Sequence, residues 1–475
     1  MADEAPGPPD GSQARRGPLD RAGQSRVALT GWGRTAATPA LLERVSDEAD
    51  VRKVLADALH EGQGRGLVAR GLARSYGDAA QNAGGHVLDM TGSARVLDVD
   101  LATAEVEVEA GISLDRLMNL FIPLGMFVPV TPGTRYVTVG GAIAADIHGK
   151  NHHVTGSFAD HVRWLDLLTA DGQVRRVGPD SDADLFWATA GGMGLTGVIL
   201  RARVRMKPIE SSMTMVDTDR TPDLDSLMTL LAETDHLYDY SVAWIDCVAK
   251  GARMGRSVLT RGRFARRDEL PARKQVDPLR YNQSVKLSVP DVFPPGLLNI
   301  ATVSAFNELW YRKSPKRKRD QLQSIPTFFH PLDGVGAWNR IYGPRGFVQY
   351  QVTVPFGHEE TMRRVLERIA TSGHASFLAV LKRFGEGNPG MLSYPSPGWT
   401  LALDIPVVAG LARLLDELDE QVVAVGGRTY LAKDSRVRPE VFARMYPRLG
   451  EFRAVRARVD PDGVFTSDLA RRLEL

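Results

Sequence analysis

The stretch "AEVEVEA" (Ala104–Ala110) alternates valine with glutamate, the period-two signature of a strand with one face buried and one in water. Short apolar runs at "GLVAR" (Gly66–Arg70), "HVLDM" (His86–Met90), "ARVLDVD" (Ala94–Asp100) and "TGVILRARVRM" (Thr196–Met206) predict further strands. The period lengthens in "ISLDRLMNLFIPLG", which predicts a helix capped by Ser113 and stopped at Gly125. "PDSDADLFWATAGG" predicts another short helix, and "VRWLDLLTADGQVRRV" has the strand–Asp-Gly–strand form of a hairpin. Strands and helices mix without regular βαβ spacing, so this half reads as α+β and not as doubly wound.

After Pro208 the pattern changes. Strand runs at "YSVAWIDCV", "GFVQYQVTVP", "ASFLAVLKRF" and "WTLALDIP" are separated by helical runs at "LDSLMTLLAETD", "HEETMRRVLERIATSG" and "VVAGLARLLDELDEQVVAVGG". They predict a second α+β domain with a largely antiparallel sheet flanked by helices. Gln349 and Gln351 lie two apart on one of these strands and so share a face. Short helices and a "DPDG" turn follow "RTYLAKDSR". The expected division is a disordered tail at 1–25, a first domain at 26–210, a second at 211–427, and a C-terminal return to the first at 428–475. No internal repeat is present.

The chain has 475 residues, 43% of them hydrophobic, enough for more than one core. Lys and Arg number 59 against 57 Asp and Glu, which argues against nucleic acid as a partner and makes any basic feature local. One such feature stands out. Residues 250–320 are basic, Pro-containing and poorly periodic, with "RGRFARRDELPARKQ", "VPDVFPPGLLNI" and "YRKSPKRKRD". That is too long for an ordinary connector and reads as functional or partly disordered. The single cysteine, Cys247, excludes an internal disulfide framework, and its strand context predicts a buried structural thiol. No apolar run reaches the ~18–20 residues that span a bilayer. The N-terminal stretch lacks an apolar signal core, so the sequence by itself predicts a cytoplasmic protein.

Candidate chemistry concentrates in "TPGTRYVTVGGAIAADIHGKNHH" (Thr131–His153). His148 and His152 have i,i+4 spacing, but the intervening "GKN" has no helical period and no glutamate follows His148, so a metal site is not expected. A phosphate loop of the G-x4-G-K-[ST] kind fails because Asn151 follows Lys150. Two more Gly-rich loops, "ARGLARSYGDAAQ" and "ATAGGMGLTGVI", border predicted strands. Glycines let backbone approach a ligand closely, and consecutive N–H groups form nests for phosphate oxygens. Three such loops would suit a large diphosphate ligand; tight turns between strands are the structural alternative.

"GLARSYGD", "PGTRYVTVGGAIAADIHG" and "LFWATAGGMGLTGVI", in that order, resemble the FAD-binding signature of the vanillyl-alcohol-oxidase / p-cresol-methylhydroxylase superfamily. Within it, "GAIAADIHGKNHH", "VLKRFG", "QYQ" and "TYLAKDSR" are most similar to the polyprenyl-phosphoryl-ribose 2′-oxidase family, flavin subunits of an epimerase. The resemblance spans about Thr30 to Leu475. It implies a two-subdomain FAD-binding domain and a second domain over the isoalloxazine. It implies FAD contacts at Ala69, Arg70, Gly71, Leu72, Ala73, Arg74, Ser75, Tyr76, Gly77, Asp78 and Ala79 around the diphosphate. It extends them to Gly133, Thr138, Val139, Gly140, Gly141, His148, Gly149, Lys150, Asn151, Ile199 and Tyr430. Tyr76, Lys150, Trp244, Gln349, Gln351, Lys382, Thr400 and Ala402 match the family's substrate pocket. Lys433 and His148 match its catalytic positions: a neutral Lys433 would take the hydroxyl proton, a charged one would stabilise reduced flavin.

The activity implied is FAD-dependent oxidation of the ribose 2′-hydroxyl of decaprenylphosphoryl-β-D-ribose to the keto sugar. An NAD(P)H-dependent keto-reductase partner would then complete epimerisation. The family context also implies an anionic membrane surface at the periplasmic side of the cell envelope, which 250–320 would contact. Two departures matter. Many relatives attach FAD through a histidine where Arg74 stands here, so noncovalent FAD is expected. Several have Cys where Ala402 stands, the thiol captured by nitroarene inhibitors, and relatives often have Asn at Thr400. A soluble aldonolactone or alditol oxidase, and a basic binding module built on "RKSPKRKR", are the alternatives.

Overall fold

The structure, a computed structural model, describes residues 16–19, 25–60, 64–283, 287–294, 296–374 and 376–475. Three sheets organise it. A five-stranded sheet runs Arg16–Leu19, Ser25–Thr30, Ala37–Arg44, His86–Asp89, Leu67–Arg70 in spatial order. Its last two pairings are parallel. Arg16–Leu19 lies inside the stretch read as a disordered tail, yet it pairs with Ser25–Thr30. Residues 1–15 and 20–24 of that tail lie outside the described residues.

The second sheet is antiparallel, in the order Val174–Val177, Val162–Leu168, Val198–Arg205, Glu105–Glu109, Val96–Asp100. Val106 and Val108 are fully buried while Glu105 and Glu107 are partly exposed, as the alternation predicts. Ser113 caps the helix Leu114–Phe121 by accepting from the Arg116 N–H, and Gly125 ends the following turn at φ 79°.

The third sheet carries the site. Its eight strands run Arg317–Ser324, Met213–Thr221, Ser257–Phe264, Tyr240–Ile245, Leu378–Phe384, Gly398–Pro406, Phe347–Pro355, Arg428–Thr429, every pairing antiparallel. Helices Leu224–Thr234, Glu359–Ser372 and Leu411–Val423 cover one face. Glu359–Ser372 buries Met362, Val365, Leu366 and Ile369, one helical stripe, and ends at Gly373 with φ 83°. Val348, Tyr350, Val352, Leu401, Leu403 and Leu381 fill this core. The opposite face presents the residues between them.

The C-terminal segment returns to the first sheet. Phe465 bridges Leu67 in parallel, and the Thr466 N–H donates to the Leu67 carbonyl at 2.9 Å. No helix among the described residues is long and apolar enough to cross a membrane.

Candidate active site

A cavity of about 880 Å³ lies between the bare face of the eight-stranded sheet and the two Gly-rich loops Ala69–Ala80 and Thr131–Lys150. Period-two geometry decides which side chains reach it. Gln349, Gln351, Thr400, Ala402, Lys382, Val380, Leu378, Trp244 and Val242 all face it, each from a strand whose alternate residues are in the core.

The first loop approaches with bare backbone. Among the described residues, the N–H groups of Leu72, Ala73, Arg74 and Ser75 donate to no protein acceptor, although all four residues line the cavity. Ala73 is left-handed, at φ 55°. Four consecutive unpaired amides in such a turn are a nest for phosphate oxygens. The second loop is held against it: a Cβ on Gly71 would lie 2.3 Å from Thr138 Oγ1. Gly133 and Gly141 face the same space. The backbone cradle and an apolar wall of Ala144, Ile147 and Met193 fit a flavin dinucleotide.

The end of the cavity beside Lys433 is polar and gathers three lysines and a histidine. Lys433 Nζ stands 4.0 Å above the Tyr76 ring. Burial lowers its pKa to about 8, with Asp404 acting in the opposite direction. Burial likewise lowers Lys150 and Lys382 to about 7. Lys150 Nζ donates to the Phe328 carbonyl. His148 is set between Lys382 Nζ, 3.1 Å from Nδ1, and the Gln351 amide, 2.8 Å from Nε2. Burial and then Lys382 drive its pKa well down, so the ring is neutral. A neutral ring accepts at only one nitrogen. The atom of Gln351 that faces Nε2 is the amide Nε2, which also lies 3.4 Å from Thr400 Oγ1, so His148 Nε2 accepts from the Gln351 amide.

Arg74 stacks on Trp32 at 4.2 Å and donates to the Leu72 carbonyl at 2.7 Å. Asp333, which accepts from the Arg135 N–H at 2.8 Å, faces the same cavity. Tyr430 lies in the wall, its hydroxyl donating to the Ala145 carbonyl at 2.9 Å.

Seven expected cofactor residues are placed elsewhere. Arg70 turns inward and donates to the Ala80 and Thr30 carbonyls, both at 2.7 Å. Gly77 packs on the Lys433 turn, where a Cβ would meet the Asp434 carbonyl at 2.0 Å. Asp78 is paired with Arg472 at 2.8 Å. Val139 is core, and Gly140 abuts Ala110, their N–H groups donating to the Ile112 and Ala110 carbonyls. Asn151 is buried and spends its amide on Pro129 and Thr155. Ile199 sits within a sheet strand and the core. These residues shape the cradle from behind; the remaining expected residues line it.

The sequence reading missed Trp32, Tyr136, His330, Asp333 and Asp404. His330 holds Thr131 Oγ1 at 2.7 Å. No motif marks these positions; only the fold brings them to the site. His152 and His153 are structural: His152 Nδ1 accepts from the Gly385 N–H at 3.2 Å, and His153 Nε2 lies 2.9 Å from the Tyr238 carbonyl. No metal-binding cluster occurs among the described residues.

Residues 39–178 match the FAD binding domain family, and residues 408–473 match the D-arabinono-1,4-lactone oxidase family. The chain is 50% identical to decaprenylphosphoryl-beta-D-ribose oxidase of Mycolicibacterium smegmatis, over 94% of this chain and 97% of that protein. It is 45% identical to an uncharacterized protein in the mprA 5′ region of Streptomyces coelicolor, over 77% of this chain and 100% of that one. L-gulono-1,4-lactone dehydrogenase of Mycobacterium tuberculosis is 24% identical over 93% of this chain and 97% of its own.

Fold and cradle together define an FAD-dependent oxidoreductase of the vanillyl-alcohol-oxidase superfamily. Within that class, the chain belongs to the family of the decaprenylphosphoryl-beta-D-ribose oxidase.

Proposed function

We propose that the protein oxidises the 2′-hydroxyl of decaprenylphosphoryl-β-D-ribose to the 2′-keto sugar, the first half of an epimerisation towards the arabinose donor for cell-wall arabinan. The observation that carries this reading is the shape of the cavity beyond the lysines. From Gln349 and Lys382 it runs across the sheet over Leu378, Val380, Val242, Trp244 and Val258 to Phe306 and Trp310. Neighbouring strands lie about 4.8 Å apart, so an apolar floor several strands wide suits a prenyl chain and not a free sugar. The 50% identical relative is named for the same substrate.

FAD, when bound, supplies the hydride acceptor. The rest falls to the protein. The unpaired amides of Leu72–Ser75 receive the diphosphate. Gln349 and Gln351 orient ribose hydroxyls. Lys433 Nζ, which has no acceptor among the described residues, takes the proton of the 2′-hydroxyl. Lys150 and Lys382 hold the phosphodiester. The sheet face and the Phe328–Phe329 segment exclude water.

Attachment of FAD is noncovalent because Arg74 cannot form the histidyl bond. The division at 26–210, 211–427 and 428–475 belongs to the same reading, as do a keto-reductase partner and periplasmic contact with an anionic membrane.

The test is anaerobic mixing with farnesyl- or decaprenyl-phosphoryl ribose and, separately, with free sugars and aldonolactones. Bleaching of the flavin by the lipid substrate alone supports the proposal. The match of residues 408–473 to a lactone oxidase family gives a second reading, an aldonolactone oxidase, and bleaching by a lactone but not by the lipid would establish it instead.

A further inference from the structure

The Lys433 amine and the Tyr76 ring meet in the cavity at 4.0 Å, yet they come from segments far apart in the chain. Three contacts behind the cavity join those segments. The Tyr76 N–H donates to the Ala432 carbonyl at 2.9 Å. Gly77 packs on the Asp434 carbonyl. The third contact is a side chain, Arg472, from the helix Asp468–Leu473. Its Nε and Nη2 hold the Asp78 carboxylate as a fork, at 2.8 and 2.9 Å. Its Nη1 donates to the Val437 carbonyl at 2.9 Å and stands 2.9 Å from Asp434 Oδ2, an ion pair without hydrogen-bond alignment. Asp434 Oδ1 accepts from the Arg436 and Val437 N–H groups, at 3.0 and 2.9 Å. Asp78 comes two residues after Tyr76, and Asp434 comes directly after Lys433.

The neighbouring cation, Arg436, is taken up by Asp416 and Asp419. Among the described residues, Arg472 is the one cation paired with both Asp78 and Asp434. The helix that carries it is itself fixed on the first Gly-rich loop and its continuation. The Asp468 N–H donates to the Gln81 carbonyl at 2.8 Å, Asp468 Oδ1 accepts from the Ala83 N–H at 2.9 Å, and Leu469, Ala470 and Leu473 are buried. A planar guanidinium binds a carboxylate through two parallel bonds and fixes its orientation, which an ammonium cannot do. Without the guanidinium, two carboxylates at this junction would be left with no counter-charge between them.

We propose that Arg472 is a positioning residue for Lys433: it clamps the turn that carries the lysine to the Gly-rich loop that carries Tyr76, and so holds the amine over the ring and at the reacting hydroxyl. Arg472 does not line the cavity, so it acts through the lysine and not on the substrate. The inference rests on the reading of Lys433 as the group that takes the hydroxyl proton. Loss of the clamp frees the turn and moves Lys433. Lys150, held by the Phe328 carbonyl, and Lys382, held against His148, keep their supports.

The experiment has two arms, both on the Arg472→Met holoenzyme. In the first, without substrate, the protein is trace-labelled with acetic anhydride, and mass spectrometry reads acetylation of Lys433 against Lys150 and Lys382. The expected result is at least a threefold rise at Lys433 with the other two unchanged. Equal rises at all three lysines, or none at Lys433, overturn the proposal. In the second arm, anaerobic flavin bleaching by farnesyl-phosphoryl ribose is followed at saturating substrate. Arg472→Met should lose at least tenfold in limiting rate, and an unchanged rate in the flavin-replete variant counts against the clamp. In a Lys433→Ala background the same substitution should change the remaining rate less than twofold, because residues that act as a unit are not additive. A further tenfold loss in that background refutes the proposal, since the effect would then bypass the lysine. Should Arg472→Met fail to hold FAD, Arg472→Lys, which keeps the charge and loses the fork, takes its place in both arms under the same criteria. Absence of bleaching in the wild type would count against the substrate reading, and the labelling ratio would then decide the clamp alone.

Discussion

Three amines converge on one largely apolar cavity, and each is there at a cost in folding. A folded lysine at about 7, as for Lys150, against an ordinary 10.5 binds fewer protons than the unfolded chain between those values. Stability therefore rises with pH across that window. Lys150→Met should raise the melting temperature most below pH 7, with the gain shrinking towards pH 10.5. Thermal scans at several pH values check this. The same lysines should make affinity for a phosphodiester fall as pH rises through about 7, while affinity for an uncharged sugar stays flat; stopped-flow saturation at each pH reads the difference. Lys433→Ala should keep FAD and lose at least a hundredfold in bleaching rate, of the order expected for a proton-transfer group. At Ala402, which lines the cavity, no sulfur is available, and the single thiol, Cys247, is buried outside it. Mass spectrometry after nitroarene treatment should show no adduct, and Ala402→Cys should create one. The residues that touch the cavity were largely legible in the sequence because they sit in motifs. Asp404 was not, since a lone aspartate in "WTLALDIP" carries no signal until Gln349 is placed beside it.

At the level of elements, the Gly-rich loop Ala69–Ala80 and the turn that carries Lys433 are one packing unit. The Tyr76 N–H donates to the Ala432 carbonyl at 2.9 Å, and Arg472 of the last helix bridges Asp78 and Asp434. Gly77→Ala would drive a Cβ into the Asp434 carbonyl and should cost about 1–3 kcal/mol, with weaker FAD retention. Chemical denaturation and flavin release measure both effects. Strands with one buried face, such as Glu105–Glu109, were readable from period two. Arg317–Ser324 ("RKRDQLQS") was not. It is an edge strand without a buried residue, so no hydrophobic alternation marks it. Ser257–Phe264 was hidden inside the basic region for a related reason: Arg261 is buried there, bonded to Asp219 and Thr234, and breaks the apolar pattern.

Across the whole molecule, the region 250–320 resolves into parts with different jobs. Ser257–Phe264 is a central strand, and the helix Ile300–Lys313 walls the cavity with Phe306 and Trp310. Asn299 caps this helix, and Arg256 pins it through Glu308 at 2.6 Å. The helix also exposes Ile300 and Leu309, and Lys313, Lys316 and Lys318 at and beyond its C-terminal end are exposed as well. A basic residue near an anionic bilayer contributes about 1 kcal/mol. Lys316→Glu with Lys318→Glu should weaken sedimentation with anionic vesicles tenfold or more and leave FAD content unchanged; equal binding to neutral vesicles would argue against an electrostatic contact.

The sequence by itself determined the α+β class, the three Gly-rich loops and the lysine turn, because glycine spacing and period-two alternation are local properties of the backbone. Only the tertiary structure decided which loop residues face the ligand and which brace it from behind. That choice depends on contacts across hundreds of residues, such as Asp78 with Arg472 and Gly77 with Asp434. It also decided the protonation of the site, since burial and neighbouring charge, not residue type, set where Lys433 and Asp404 hold their protons.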